Sequence, residues 1–379
     1  MFDIIIVGAR CAGASLALFM ADYGYKVCLI DKGTFPSNTL STHLFGDWDL
    51  YKKLGIEANI KSSGAPEIKR VKVSFEDCSF EGPLKVTTAL SGLRRIKYDQ
   101  ILINKAMSHP NIHCHLNCKL KELIYANGKI SGITVQMNGD LKNIFSEVVV
   151  GADGRNSLTA ELVNSQKYKI SPSLRCAFYG YFKNVFPDHT PTFEFFWSGN
   201  NIILVQPCDE GLYCVCILPM QEEYSDWAKD LENKFMSSLL KVDVLSSKFK
   251  QAILDSKIVG TNNLDSYLKT PYGEGWALVG DAGAAVHPCS GAGMDQAIKC
   301  SEFLSISLHE YLNGTKSWND SMAIFQLNRD KYVEGNIYAA DSISSLTNIS
   351  SEDANVLGFY CTIPNLVRDL IQMIPEKSF

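Results

Sequence analysis

Residues 2–32 read FDIIIVGARCAGASLALFMADYGYKVCLIDK, and this stretch decides the fold. Phe2 to Val7 is a short isoleucine-rich apolar run, as expected of a strand buried on both faces of a parallel sheet. Gly8-Ala9-Arg10-Cys11-Ala12-Gly13 is the turn. Ala14 to Tyr23 reads as a small-residue helix that Gly24 ends, and Lys26 to Ile30 as a second strand closing at Asp31. Together they form a βαβ unit of about the usual ~30 residues. A dinucleotide site at such a turn needs one glycine for the tight bend and another for close helix–strand packing, with backbone N–H groups at the helix start facing the pyrophosphate. Gly8 and Gly13 meet those needs, while Arg10 stands where a middle glycine is usual. Asp31 ends the second strand, where a carboxylate accepts both ribose hydroxyls of an adenosine. An acid there repels the extra phosphate of NADP, so the expected nucleotide is FAD or NAD.

Two later stretches repeat the strand-into-Gly-Asp pattern. One is Val148-Val149-Val150-Gly151-Ala152-Asp153-Gly154-Arg155-Asn156-Ser157, and the other is Leu278-Val279-Gly280-Asp281-Ala282, followed by Pro288 and Gly291-Ala292-Gly293. Carboxylates at the carboxyl ends of strands lie where α/β sheets bind ligands. Glycines ahead of a helix let the backbone approach a ring, and the helix start offers it positive potential.

Between these motifs the texture changes. Residues 97–107 have helical spacing, and 111–118, 119–126 and 129–137 read as strands with a turn at Asn127-Gly128. From about 174 to 219 aromatic and β-branched residues alternate with turn signals, the signature of an antiparallel sheet. Residues 221–256 read as helical, Trp276 to Val279 as a short buried strand, and Gly293 to Leu312 as a helix. The remainder to Phe379 reads as mostly helical. The sheet is therefore inserted into a nucleotide-binding domain rather than tethered beside it.

The length of 379 residues suggests two or three domains at ~150 residues each. A hydrophobic fraction of 46% with 20% charged residues excludes a disordered chain. The net charge of -5 gives no basic field to recruit nucleic acid or anionic membrane. The start MFDIIIVGAR has no charged n-region, and the apolar runs fall far short of the ~20 residues of a membrane helix. The 12 cysteines are scattered without framework spacing, as reduced thiols of a cytoplasmic protein are. His113, Cys114, His115 and Cys118 look like metal ligands, but the segment alternates like a half-buried strand and lacks a second ligand pair. No metal is expected. Cys214 and Cys216 read the same way.

The order and content of the three glycine motifs resemble the flavoprotein monooxygenase superfamily with the para-hydroxybenzoate hydroxylase fold, which also holds flavin-dependent halogenases and geranylgeranyl reductases. The resemblance spans about residues 2–305. GARCAGAS with FPSNTLSTH is similar to a branch of bacterial FAD-dependent oxidoreductases. The implied fold is α/β: a Rossmann-like FAD-binding domain, an inserted mainly antiparallel β-sheet substrate domain and a helical C-terminus. The expected boundaries are 1–72, 94–160 and 271–312 for the discontinuous FAD-binding domain, 73–93 and 161–270 for the sheet domain, and 313–379 for the C-terminal helices.

The resemblance assigns cofactor roles by position. Gly8, Arg10, Cys11, Ala12 and Gly13 form the pyrophosphate turn, and Asp31 with Lys32 receives the adenosine. Arg95, four before Asp99, reaches FAD. Asp153 is the acid of the second motif, which in the family is linked to FAD and NAD(P)H contacts. Asp281 serves the ribityl–pyrophosphate side, and Pro288, Gly291, Ala292, Gly293 and Met294 line the flavin ring. In Thr39-Leu40-Ser41-Thr42-His43, Thr42 passes beside the ring. His43 is the candidate general acid or base, since a free imidazole titrates near ~6.5. His287 reads as loop structure. Phe178, Phe195, Trp197 and Tyr213 are candidates for an apolar substrate pocket, with core packing the alternative for each.

Three departures stand out: Arg10 for a glycine, Ala160 for an arginine of the second motif, and Ala292 for a glutamine. The halogenase signature, a tryptophan-rich stretch with a catalytic lysine, is absent. The implied activity is an NAD(P)H-dependent monooxygenation of an apolar or aromatic small molecule through a flavin C4a-hydroperoxide, with NADH or NADPH a transient reductant. A C=C reductase of the geranylgeranyl reductase type and a non-catalytic flavin-binding protein are the alternatives. No nucleic-acid or membrane partner is expected; Val356, Phe359, Ile363, Leu366, Leu370 and Ile374 of the tail read as packing over the core.

Overall fold

The computed structural model describes residues 1–39, 41, 43–75, 78–83 and 90–346. The helical segment expected beyond 346, with its amphipathic positions from Val356 to Ile374, lies outside the described residues, as does Thr42.

Phe2–Val7 and Val27–Ile30 are parallel neighbours, with the helix Cys11–Asp22 crossing between them. The helix begins earlier than its small-residue run suggested, because Arg10 leaves the strand with extended φ/ψ and every residue from Cys11 on is already helical. The sheet grows outward in the order Tyr272–Gly273, Trp276–Leu278, Asp140–Gly151, Phe2–Val7, Val27–Ile30, Ile112–His115. The strands from Trp276–Leu278 through Ile112–His115 run parallel, and the register pairs Val7 with Ile30 and with Gly151, and Gly151 with Leu278. The three glycine motifs therefore leave the sheet side by side at its carboxyl edge, where such sheets bind ligands. Asp140–Gly151 is longer than the run Glu147–Val150 because it has two jobs. Its first half pairs antiparallel with Lys129–Met137, and its second half enters the parallel sheet.

A second sheet has the order Ile253–Leu254, Ala177–Lys183, Tyr213–Leu218, Asn201–Pro207, Thr192–Ser198, Arg70–Phe75, Cys78–Pro83. All its pairings are antiparallel except the one between Thr192–Ser198 and Arg70–Phe75. That parallel seam joins chain segments more than a hundred residues apart. Leu90–Gly92 belongs to a separate small sheet, between Leu44–Phe45 and Glu67–Ile68.

Side chains of the second sheet alternate between two cores. Phe178, Phe182, Phe196 and Tyr213 face one way and pack on Trp227, Phe235, Leu239 and Phe249. Tyr179, Phe195, Trp197, Cys214 and Cys216 face the nucleotide-binding layer. The region 221–256 is not one helix. Tyr224–Lys229, Leu231–Leu240 and Asp243–Lys248 are separate, the first two parted at Asp230, whose φ of -141° and ψ of 50° are not helical. The breaks let three short helices follow the twist of the sheet they cover. Gly293–Leu312 packs against Cys11–Asp22, and Trp318–Ser344 lies across it.

Candidate functional site

Gly8 has φ +106°, and a Cβ there would stand 2.4 Å from the Ala152 carbonyl oxygen. A Cβ at Gly13 would stand 1.7 Å from the Gly8 carbonyl oxygen. Neither position accepts a side chain, so the first turn presses against the second motif and the helix closes on the strand. Position 10 makes no such demand: its φ is -86°, which any residue adopts. The Arg10 side chain turns away from the helix axis. It pairs with Asp99, donates to Ser37 Oγ at 2.9 Å and to the Asn38 carbonyl at 3.3 Å, and lies 5.5 Å from the Phe35 ring centre.

The helix Cys11–Asp22 starts with no side-chain cap and no acid in its first turn. Its free N–H groups and dipole are left for an anion. Asp31 accepts from Ala9 N at 2.8 Å and Gly33 N at 2.7 Å. These bonds use one lone pair on each oxygen and leave acceptor capacity on the carboxylate. Arg95 donates to the two oxygens of Asp99 at 2.9 and 3.0 Å. Asp99 is fully buried and serves both arginines; its spacing from Arg95 was legible, its hold on Arg10 was not. Cys11 is pushed up to about 12, chiefly by burial, so its thiol stays protonated.

These groups open on a cavity of about 800 Å³ that runs from Asp31 and Lys32 past the glycine turn to the third motif. Gly8, Arg10, Cys11, Ala12, Asp31, Lys32, Arg95, Asp153, Asp281, Pro288, Gly291, Gly293 and Met294 all line it. Gly13 and Ala292 sit behind that lining, and Thr42 is outside the described residues. The Asp153 carboxylate is already engaged: it accepts from the Ser157 hydroxyl, from Thr159 N at 3.0 Å and from Thr159 Oγ1 at 3.1 Å. Its work is to fold the second motif. The Asp281 side chain is 41% exposed to the cavity although deep in the molecule, and Arg155 lies 3.8 Å away. Burial raises its pKa, against the pull of Arg155 and Arg95. Gly291 has φ +63°, the left-handed region that favours glycine, and turns the chain into the uncapped helix Gly293–Leu312.

His43 is not placed to act as the general acid or base its sequence position suggests. It is fully buried, behind the cavity wall, and its Nε2 bonds Tyr181 Oη. Its ring stacks on Tyr181 at 5.4 Å and meets the edge of Tyr179 at 6.0 Å. Burial, then Arg95, depresses its pKa to about 3, so it is neutral throughout the physiological range. His287 is also buried and depressed, to about 4, chiefly by burial. Its Nδ1 accepts from Cys289 N at 3.2 Å and its Nε2 faces the Arg175 carbonyl at 3.4 Å, which fixes a neutral tautomer as a cap of the Pro288–Ser290 turn.

The four candidate pocket aromatics split by strand parity. Phe195 and Trp197 face the nucleotide-binding layer, Trp197 stacking on Phe75 at 4.3 Å. Phe178 and Tyr213 do not: Phe178 stacks on Trp227 at 5.3 Å on the far face, and Tyr213 lies with it. The sheet lends the cavity wall Ala177, Tyr179, Cys216 and Thr261, the last on Val259–Thr261, which pairs with Ala177–Lys183. Tyr179 Oη donates to the Thr39 carbonyl at 3.2 Å, tying the sheet to the segment after the second strand. Register would have identified Tyr179, but sequence alone does not supply register.

The donor set suits a dinucleotide: a glycine turn under an uncapped helix start, a carboxylate one strand away, two arginines, and a second helix start beyond Gly291. The FAD binding domain family matches residues 1–320 of the chain. A brominase of 1H-pyrrole-2-carbonyl-[peptidyl-carrier protein] from Pseudoalteromonas luteoviolacea (strain 2ta16) is 23% identical over 357 residues, covering 90% of this chain and 84% of the relative. The kynurenine 3-monooxygenase of Anopheles gambiae is 26% identical over 372 residues, 88% of this chain and 74% of the relative. The solved structure of the flavin-dependent brominase Bmp2 superposes with a TM-score of 0.80 at 19% identity, covering 98% of this chain and 92% of that one.

Proposed function

The chain belongs to the FAD binding domain family and is an FAD-dependent oxidoreductase; from that premise we propose a monooxygenase that hydroxylates an apolar or aromatic small molecule, with NADH or NADPH as reductant. One observation carries the reading. The cavity that holds the adenosine acid Asp31 also has an uncharged side, formed from the second sheet by Ala177, Tyr179, Cys216 and Thr261. That side thus takes an apolar molecule against the face where a flavin ring belongs.

FAD, when bound, supplies electron transfer from the reductant and activation of oxygen. The chain's own residues position it. The N–H groups at Cys11–Gly13 would hold the pyrophosphate, Asp31 would accept the ribose hydroxyls, and the uncapped start of Gly293–Leu312 would offer the ring positive potential. Arg10 and Arg95 keep their place through Asp99. The substrate wall excludes water and offers no competing base or nucleophile. His43 behind it is neutral, and burial pushes Cys216 up to about 12.

Among the described residues, the lysines lining the cavity are Lys32, Lys119 and Lys121. They cluster at the adenosine end, since Cys118 N donates to the Asp31 carbonyl at 2.8 Å. Lys72 of Arg70–Phe75 pairs across with Glu194, on the face opposite Val71 and Val73. The missing halogenase lysine is thus not replaced from these positions, which favours hydroxylation over halogenation. Among the described residues no helix is long and apolar enough to cross a membrane; a cytoplasmic location is proposed on the scattered cysteines, free among the described residues.

The test is turnover of the FAD-loaded protein with NADH or NADPH, a panel of phenols, anilines and aromatic acids, bromide, and isotopically labelled dioxygen. Label in a hydroxylated product is expected. Halogenated product, or anaerobic saturation of a C=C bond, overturns the reading; flavin that no nucleotide reduces points to a binding protein.

A further inference from the structure

Arg10 and the stretch FPSNTLSTH that begins at Phe35 are far apart in the chain and meet in the fold. Asp31, Lys32 and Gly33 line the cavity at its adenosine end. Thr39 lines it again on the side of the second sheet, where its carbonyl accepts from Tyr179 Oη at 3.2 Å. Residues 34–38 connect these two points and stand outside the lining. The segment is fixed at both ends, since the Gly33 carbonyl also accepts from Asn117 N at 2.9 Å. Its middle has one support. Among the described residues, the hydrogen bonds of residues 34–38 all come from Arg10, whose Nη2 donates to Ser37 Oγ at 2.9 Å and to the Asn38 carbonyl at 3.3 Å. The same guanidinium lies 5.5 Å from the centre of the Phe35 ring, within reach of a cation–π contact.

The Arg10 charge is incompletely balanced. Its Nη1 pairs with Asp99, whose two oxygens also take Arg95 at 2.9 and 3.0 Å. One carboxylate thus serves two guanidinium groups, and the trio carries one positive charge in excess. A guanidinium has five N–H donors. Asp99, Ser37 and Asn38 use three of those of Arg10, and two are left on a side chain that lines the cavity. Arg10 is also the residue before Cys11–Asp22, a helix start with no side-chain cap, where an anion is drawn. Excess charge, spare donors and the hold on residues 35–38 meet on this one side chain.

We propose that Arg10 and residues 35–39 form a clasp that retains FAD. Arg10 pins the segment beside the pyrophosphate turn, and Ser37 is a positioning residue that aims the guanidinium. The inference rests on FAD binding and is independent of the reaction the flavin performs. Without the pin, the stretch between Gly33 and Thr39 keeps only its end attachments. An anion at the helix start would engage the spare donors, hold Arg10 in place and so order the segment. Loss of the clasp therefore shortens the residence of FAD more than it slows its arrival.

The experiment compares FAD-loaded wild type, Ser37→Ala, Arg10→Gln and the double variant. Each is diluted into an excess of an apoflavoprotein that traps free FAD, and release is followed by the change in flavin fluorescence. Association is measured by mixing FAD with the apoprotein, and the thermal midpoint of each apoprotein is the folding control. Hydrogen exchange of residues 33–39, with and without FAD, gives a readout that needs no turnover. Ser37→Ala is expected to release FAD roughly five-fold faster and Arg10→Gln at least roughly ten-fold faster, with association within about two-fold of wild type. The double variant should match Arg10→Gln, because Ser37 acts through Arg10. FAD should protect residues 33–39 from exchange in wild type and much less in Arg10→Gln. Wild-type release from Ser37→Ala overturns the clasp. So does a Ser37→Ala effect that persists undiminished in the Arg10→Gln background, or equal exchange of residues 33–39 in free and loaded wild type.

Discussion

Replacing Asp99 by asparagine probes the charge balance on which the cofactor end of the cavity is built. Asp99 is wholly buried, with Arg95 bonded through two prongs, Arg10 through a third contact, and the Cys11 thiol donating at 3.6 Å. The Arg95 side chain is 11% exposed and that of Arg10 33%. Removing one partner of a buried pair costs about 3–5 kcal/mol, whereas a partly exposed pair contributes only about 0–1 kcal/mol. Arg95 therefore sets the scale. Asparagine keeps one acceptor and turns an amide donor toward two guanidinium groups, so we expect about 3 kcal/mol less stability for the FAD-free protein. A pyrophosphate at the helix start returns negative charge to the same arginines. If half the loss is recovered on loading, the FAD dissociation constant tightens about ten-fold, since about 1.4 kcal/mol is a factor of ten. Urea unfolding with and without saturating FAD, together with a flavin fluorescence titration, measures both arms. Equal destabilisation of free and loaded protein, with an unchanged dissociation constant, would refute the idea that Arg10 and Arg95 share their charge between Asp99 and the cofactor.

Acid stability should report the two buried histidines. With native pKa values of about 3 for His43 and about 4 for His287, against ~6.5 unfolded, the unfolded chain binds the extra protons. Stability is thus complete above about pH 6.5 and falls as pH drops, by roughly 1.4 kcal/mol per pH unit per histidine; His43→Asn, whose side chain tolerates the native φ of 60°, should remove one proton from the slope of unfolding free energy against pH. The two sheet faces should separate in mutagenesis. Phe178→Ala is expected to cost about 3–5 kcal/mol in chemical unfolding with unchanged FAD affinity, whereas Tyr179→Phe should raise the substrate KM while lowering stability by only about 0.5–1.5 kcal/mol. Gly13→Ala should yield protein without flavin absorbance, because the added Cβ meets the Gly8 carbonyl; flavin retained at wild-type content would contradict the packing described for the turn.

What the sequence showed and what it hid have a common physical origin. The motifs were legible because each is local: the φ of Gly8, the close approach at Gly13, and the carboxyl ends of Val7, Gly151 and Leu278 all follow from a strand entering a turn. Parallel register then brings three local features to one edge without further information. The substrate side has no such economy. Whether an aromatic of Ala177–Lys183 meets the cavity or the helices depends on a single step of strand parity, and neighbouring Phe178 and Tyr179 end in different cores. That step is set by antiparallel pairing with Tyr213–Leu218 and Val259–Thr261, contacts between segments distant along the chain. His43 was misjudged for the same reason. The family resemblance puts its segment beside the ring, but burial against Tyr181 of the other sheet decides its charge. Asp99 shows the opposite case, a residue legible by helical spacing to Arg95 whose second partner, Arg10, lies at the position where the glycine pattern is broken. The departure at position 10 is therefore compensated within the fold. An arginine is accommodated at the pyrophosphate turn because an acid one layer away already balances a guanidinium there, and the two cations remain available to the cavity they line.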